Sequence, residues 1–140
     1  PEPCCLDLHS ADLEGADLRG ADLMHANLFE ANLEGADLTR ANLRGAYLSE
    51  THLKEANLGG ADLIRANLTH ADLRGADLTH ADLTEANFGG ADLTEANLGG
   101  ADLTHADLRG VNLSRARQST VTPKQIKDAY TNEYTKFPWQ

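Results

Sequence analysis

Apolar and polar positions follow one another in blocks of five along most of this chain. A leucine recurs every fifth residue from Leu8 to Leu113, and Phe88 is the single substitute. Alanine stands two places earlier in nearly every block, and Asp or Asn lies between the two. On an α-helix five residues turn through about 500°, so the leucines would wind around the axis and define no buried stripe. Heptads are absent, which excludes a coiled coil. An extended chain suits the pattern: Ala and Leu point to one side, Asp or Asn to the other. The last two places of each block then turn the chain. All 12 glycines lie there, and no proline occurs between Pro3 and Pro123.

The blocks form 22 consecutive pentads, from Leu6–Ser10 to Val111–Arg115. One pentad cannot bury its own leucine, whereas stacked pentads bury them all, so the fold class is an all-β solenoid. Leu13, Leu18, Leu23 and Leu28 begin the core ladder, and the small alanines keep that core narrow. The run A(D/N)Lxx resembles the pentapeptide-repeat proteins, with Leu as the central residue. The resemblance implies a right-handed quadrilateral β-helix with four pentads to each square coil. That makes about 5.5 coils and a rod roughly 26 Å long. Phe88 then stacks in the column of Leu8, Leu28, Leu48, Leu68 and Leu108 as core filler.

The chain reads as a single domain over 1–140: a lead-in at 1–5, the repeats at 6–115 and a C-terminal cap at 116–140. Cys5 and Leu6 are expected to plug the first coil. At the other end Thr122, Pro123 and Gln125 have the spacing of a helix start, with Thr as N-cap and Gln three residues on. A short α-helix is expected near 123–131. Ile126, Tyr130, Tyr134, Phe137 and Trp139 are expected to cover the last coil, which needs a cap. The closing TNEYTKFP resembles the C-terminal tails of cyanobacterial pentapeptide-repeat proteins.

Net charge is −10, and residues 6–115 hold 19 acidic against 8 basic side chains. So acidic a chain repels nucleic acid and anionic lipid, so no direct nucleic-acid binding is expected. No apolar run is long enough to cross a membrane, and no membrane insertion is expected. Cys4 and Cys5 are adjacent, too close for an easy mutual bridge and too few for a zinc site. The first residue is Pro1 instead of Met, which suggests a trimmed N-terminus. An exported protein of the thylakoid lumen or periplasm is expected, with the cytoplasm as the alternative.

Function is sought in departures from the repeat. Tyr47 and His52 replace Asp or Asn, and Thr51 replaces Ala, all within GAYLSETHLKE. Phe29, Met24 and Ile64 put apolar side chains at corners that are elsewhere Thr, Arg, Glu or Gly. With twenty residues to a coil, Met24, Arg44 and Ile64 stack along one edge. These five residues (Tyr47, His52, Met24, Ile64 and Phe29) are the candidate interaction surface. The six histidines do not fall within reach of a shared metal ion, and no metal site or cofactor is expected. No nucleophile relay, phosphate loop or cleft for paired acids is visible, so the chain is not expected to be an enzyme.

The sequence points to a noncatalytic scaffold or protein-interaction module, monomeric rather than dimeric, with an unidentified protein partner. The family resemblance implies one alternative, a DNA mimic that inhibits or protects DNA gyrase. A 26 Å rod would imitate only about seven or eight base pairs, at roughly 3.4 Å per step.

Overall fold

Each inward Ala–Asx–Leu triplet is too short to satisfy its own backbone, so its N–H and C=O groups must pair with neighbouring coils. A computed structural model describes residues 5–117 and 121–140. Its parallel bridges join outward residues twenty apart, from Asp7↔Asn27 to Asn87↔Asp107. Four pentads therefore close one coil, and the rod is a quadrilateral β-helix. The ladder repeats with the pentad. The Asn27 N–H donates to the Leu6 carbonyl at 2.9 Å, Leu28 to Tyr47 at 2.8 Å and Glu30 to Ser49 at 3.2 Å. The first face carries pentads 6–10, 26–30 and 46–50 and continues upward. The second, third and fourth faces begin with 11–15, 16–20 and 21–25.

Each corner is closed by the first residue of the next inward triplet, alanine except at Thr51 and Val111. The Ala31 N–H donates to the Leu28 carbonyl at 3.0 Å, a four-residue turn. Its third residue has positive φ, as a type II turn requires. Gly45 satisfies that at φ 63°, but His25 at 57° and Glu85 at 59° occupy equivalent corners. An L-residue there costs about 1–2 kcal/mol. The ladder bonds on either side of the corner hold it in place.

Leucines and alanines from all four faces meet on the axis, and Leu28 to Leu83 are sealed from solvent. Thr51 takes an alanine position, fully buried, and its hydroxyl donates to the Leu28 carbonyl at 2.8 Å. Phe88 is buried in the leucine column. The larger ring loosens the wall around it. Phe88 N–H reaches Asp107 O at 3.1 Å, against 2.7 Å for Leu48 to Asn67, and Ala91 rises to 8% exposure. Among the described residues no bridge joins Asp92 to Asn112.

The two ends differ from expectation. Cys5 and Leu6 do not plug the first coil; both are exposed, Leu6 by 50%. Leu13 and Leu18 are consequently only partly buried, and the sealed ladder starts at Leu23. At the C-terminal end the expected helix over 123–131 is a single turn, α1, Pro123–Ile126. The capping box is present, with the Gln125 N–H bonded to the Thr122 side chain and the Gln125 side chain to the Thr122 N–H. The turn stops because the chain rejoins the solenoid. Asp128 O accepts from the His105 N–H at 2.9 Å, Tyr130 bridges Asp107, and Lys136 bridges Asn112.

Of the residues expected to cover the last coil, Ile126 and Phe137 pack against it and the other three aromatics do not. Tyr130, Tyr134 and Trp139 are exposed, while Val121 and Thr135 are buried and Ile126, Ala129 and Phe137 pack partly against the core. Polar groups complete the closure. Gln125 Nε2 donates to the Leu98 and Ala101 carbonyls at 2.8 and 3.1 Å, and Thr135 Oγ1 to Leu108 O at 2.9 Å. Tyr130 stacks on His105 and Trp139 on Phe137, with ring centroids 5.8 and 5.2 Å apart.

Candidate interaction surface

The outward Asp and Asn column is not a free surface. In each such pentad the side-chain Oδ1 accepts from the backbone N–H two residues on, as with Asn57 and Gly59 at 2.9 Å or Asp102 and Thr104 at 2.9 Å. This is an Asx turn, and it explains why only Asp or Asn alternates at that place. Thr two residues on adds its hydroxyl, as Thr84 does to Asp82 at 2.6 Å. Arg there makes a two-pronged contact, as Arg19 does to Asp17 at 2.8 and 2.7 Å. That guanidinium draws the Asp17 carboxyl down to about 2, and the same contact from Arg74 and Arg109 lowers Asp72 and Asp107. Asn side chains also bridge coils, Asn27 to Asp7 at 3.1 Å and Asn32 to Asp12 at 3.2 Å.

Tyr47 and His52 are the two outward residues of the pentads that cannot make this turn bond with a side-chain carbonyl or carboxylate. They sit on the first and second faces, either side of the Ser49–Glu50 corner. Tyr47 is 55% exposed and shares a shallow depression of about 410 Å³ with Cys5, Asn27, Phe29 and Ser49. The fold thus brings Tyr47 and Phe29 together, with His52 exposed round the corner. Met24 and Ile64 line up on the edge between the fourth and first faces, but they do not make a continuous apolar strip. Arg44 lies between them with its guanidinium on Asp62 at 2.7 Å, and Ile64 is half-buried.

Corner histidines form a pattern missed in the sequence. The rings of His25, His70 and His80 lie over Gly45, Gly90 and Gly100, each the residue twenty places on. His105 has Tyr130 in that role. Histidine followed by glycine at a spacing of twenty was the available signal. The rings therefore serve the corners. Among the described residues no group of His, Cys, Asp and Glu converges on a metal position, and no helix is long and apolar enough to cross a membrane.

A square rod of stacked pentads, with its turn-forming Asx residues turned outward, is a class of solenoid with a recognised family. This chain belongs to the pentapeptide-repeat family, whose model matches residues 7–45, 41–79 and 81–117 in 8 copies. A pentapeptide repeat protein of the Arabidopsis thaliana thylakoid lumen is 34% identical, with a TM-score of 0.68 over 70% of this chain and 68% of that one. HetL, a pentapeptide repeat protein involved in heterocyst differentiation regulation in the cyanobacterium Nostoc sp. strain PCC 7120, is 33% identical over 96% of this chain and 69% of that one, with a TM-score of 0.50. QnrB1, a plasmid-mediated fluoroquinolone resistance protein, shares the fold at a TM-score of 0.70 but only 21% identity, over 88% of this chain and 58% of that one. No curated protein matches the chain.

Proposed function

We propose that this chain is a noncatalytic interaction module whose rod holds a recognition patch formed by Tyr47, Phe29 and His52. The supporting observation is the local sacrifice: Tyr47 and His52 give up a turn bond that the other pentads retain through Asp or Asn. Exposed Tyr and Phe are residue types that protein interfaces favour. The unidentified partner is a protein, the rod acts as a monomer, and it is right-handed with about 5.5 coils closed by the tail. Affinity capture from the source organism, with wild type and a Tyr47→Asn/His52→Asn variant side by side, tests this. A partner held by the wild type and lost from the variant is expected. Equal capture by both removes the patch from the proposal. The gyrase alternative is not adopted, because the likeness to QnrB1 is one of fold.

A further inference from the structure

The first face of the rod sets a tyrosine at each end of a polar run. The bridges Tyr47↔Asn67, Asn67↔Asn87, Asn87↔Asp107 and Asp107↔Tyr130 make one unbroken ladder. Four steps of about 4.8 Å place the two tyrosines about 19 Å apart along the axis. Both are exposed, by 55% and 57%. Tyr130 stacks on His105 and walls a depression of about 750 Å³ that Asn87, Asp107 and Arg109 also line. Gly89 adds no side chain, which keeps the floor between the tyrosines low. Hydrogen-bonding capacity along this run is one-sided. Asn67 Oδ1 accepts from the Thr69 N–H at 3.1 Å and from the Thr69 hydroxyl, and Asn87 Oδ1 accepts from the Gly89 N–H at 2.9 Å. Both Asp107 oxygens are held by Arg109, at 2.9 and 2.6 Å. The amide nitrogens are left over. Asn27, Asn32 and Asn42 donate theirs to an Asp one coil back. Behind Asn67 stands Tyr47, which has no such oxygen, and among the described residues Nδ2 of Asn67 and of Asn87 has no partner.

We propose that this face is a docking trough for a proline-rich segment of the partner protein in the polyproline II conformation. Six residues of that helix rise about 19 Å and complete two turns, so prolines six apart point the same way and meet one tyrosine each. Aromatic-lined grooves take such segments because the helix is already ordered before it binds. The donors between the tyrosines select the occupant. A polyproline II chain makes no internal hydrogen bonds, so its carbonyls are available, and proline has no N–H to satisfy. Asn67 and Asn87 supply what those carbonyls accept. A β-strand would bring N–H groups to a face whose side-chain oxygens are already engaged, and sugar hydroxyls would bring donors to the same oxygens. The segment carries no charge of its own, so the acidic rod does not repel it. The trough rests on the reading of Tyr47 as a contact residue and extends that contact along the face to Tyr130.

The test is fluorescence anisotropy with the full chain and three labelled probes: decaproline, an alternating Ser/Val decapeptide and cellohexaose. Tyr47→Asn and Tyr130→Asn each remove one ring. Asn67→Asp/Asn87→Asp removes the two donors and keeps the turn oxygen, as Asp102 already does for Thr104. Asn57→Asp/Asn97→Asp makes the same change of charge on the third face. Decaproline is expected to bind wild type and the third-face variant alike, and the other three variants about tenfold more weakly, with the circular dichroism of every variant unchanged. No binding to wild type, or equal binding by Asn67→Asp/Asn87→Asp, overturns the proposal. Loss in Tyr47→Asn with none in Tyr130→Asn confines the peptide to the Tyr47–His52 patch, which overturns the trough and leaves the patch standing. Full binding by Tyr47→Asn overturns both. Binding of the Ser/Val peptide as tight as that of decaproline assigns the face to a β-strand, and binding of cellohexaose in place of decaproline assigns it to a sugar; either result overturns the proposal.

Discussion

Replacing Gly45 by alanine measures what the histidine–glycine corners contribute. At φ 63° an alanine is strained, which costs about 1–2 kcal/mol. Gly60, at φ 64°, supplies the control, because a Cβ there meets only Arg40 Cγ at 3.5 Å, an ordinary contact. At Gly45 the added Cβ would lie 2.5 Å from His25 Nδ1 and 2.6 Å from Cε1. Either the wall shifts, at about 1–3 kcal/mol, or the ring swings out and loses its seat. Gly45→Ala should therefore cost about 1 kcal/mol more than Gly60→Ala. Adding His25→Ala should remove that excess, giving a coupling energy of about 1 kcal/mol. Urea unfolding followed by circular dichroism reads these differences from midpoints, provided the slope is unchanged and the transition is two-state. Equal costs at the two glycines, or no rescue by His25→Ala, would refute the argument.

Other expectations follow from single contacts. His52→Asn restores an acceptor for the Lys54 N–H and should stabilise the rod by about 1 kcal/mol in the same assay. Phe88→Ala should cost about 3–5 kcal/mol, as a buried aromatic leaves a cavity in a core that cannot collapse freely. Thr135→Val strips the Asn132 N–H and the Leu108 carbonyl of a hydroxyl partner and should cost about 1–2 kcal/mol. Acid unfolding has a defined window. Asp17 is held to about 2, and Asp72 and Asp107 are also lowered, so their stabilisation is complete above the unfolded carboxylate value of about 3.9 and is lost as pH falls through the folded values. The folded fraction should stay level from pH 7 to about 4 and fall between about 4 and 2. Salt should blunt this fall, since the pairs are exposed.

The coil architecture was legible because Leu, Ala and Gly each have one physical role in it. The twenty-residue register followed from family resemblance, and the bridges repeat at that spacing. The turn bond of the outward Asx column was not read from the sequence, although Asp and Asn share a carbonyl or carboxylate oxygen that can cap a turn two residues away. The cap was legible at Thr122, Pro123 and Gln125, yet its length was not. Ile126, Ala129, Tyr130 and Tyr134 have helical spacing, but helix propensity gave way once Tyr130 could join the ladder beside Asp107. Exposure of Leu13 and Leu18 was hidden for a similar reason: the repeat is identical there, and only position in the stack distinguishes them.

The register of twenty also separates what a length change does to the core from what it does to the surface. A five-residue insertion after Gly60 would keep every leucine inward and every corner intact. It would turn everything downstream by a quarter revolution relative to Tyr47, so Tyr130 would leave the first face for the second. Whole-pentad gain or loss is thus a rotation operator on surface pattern, able to pair or part distant side chains without touching the core.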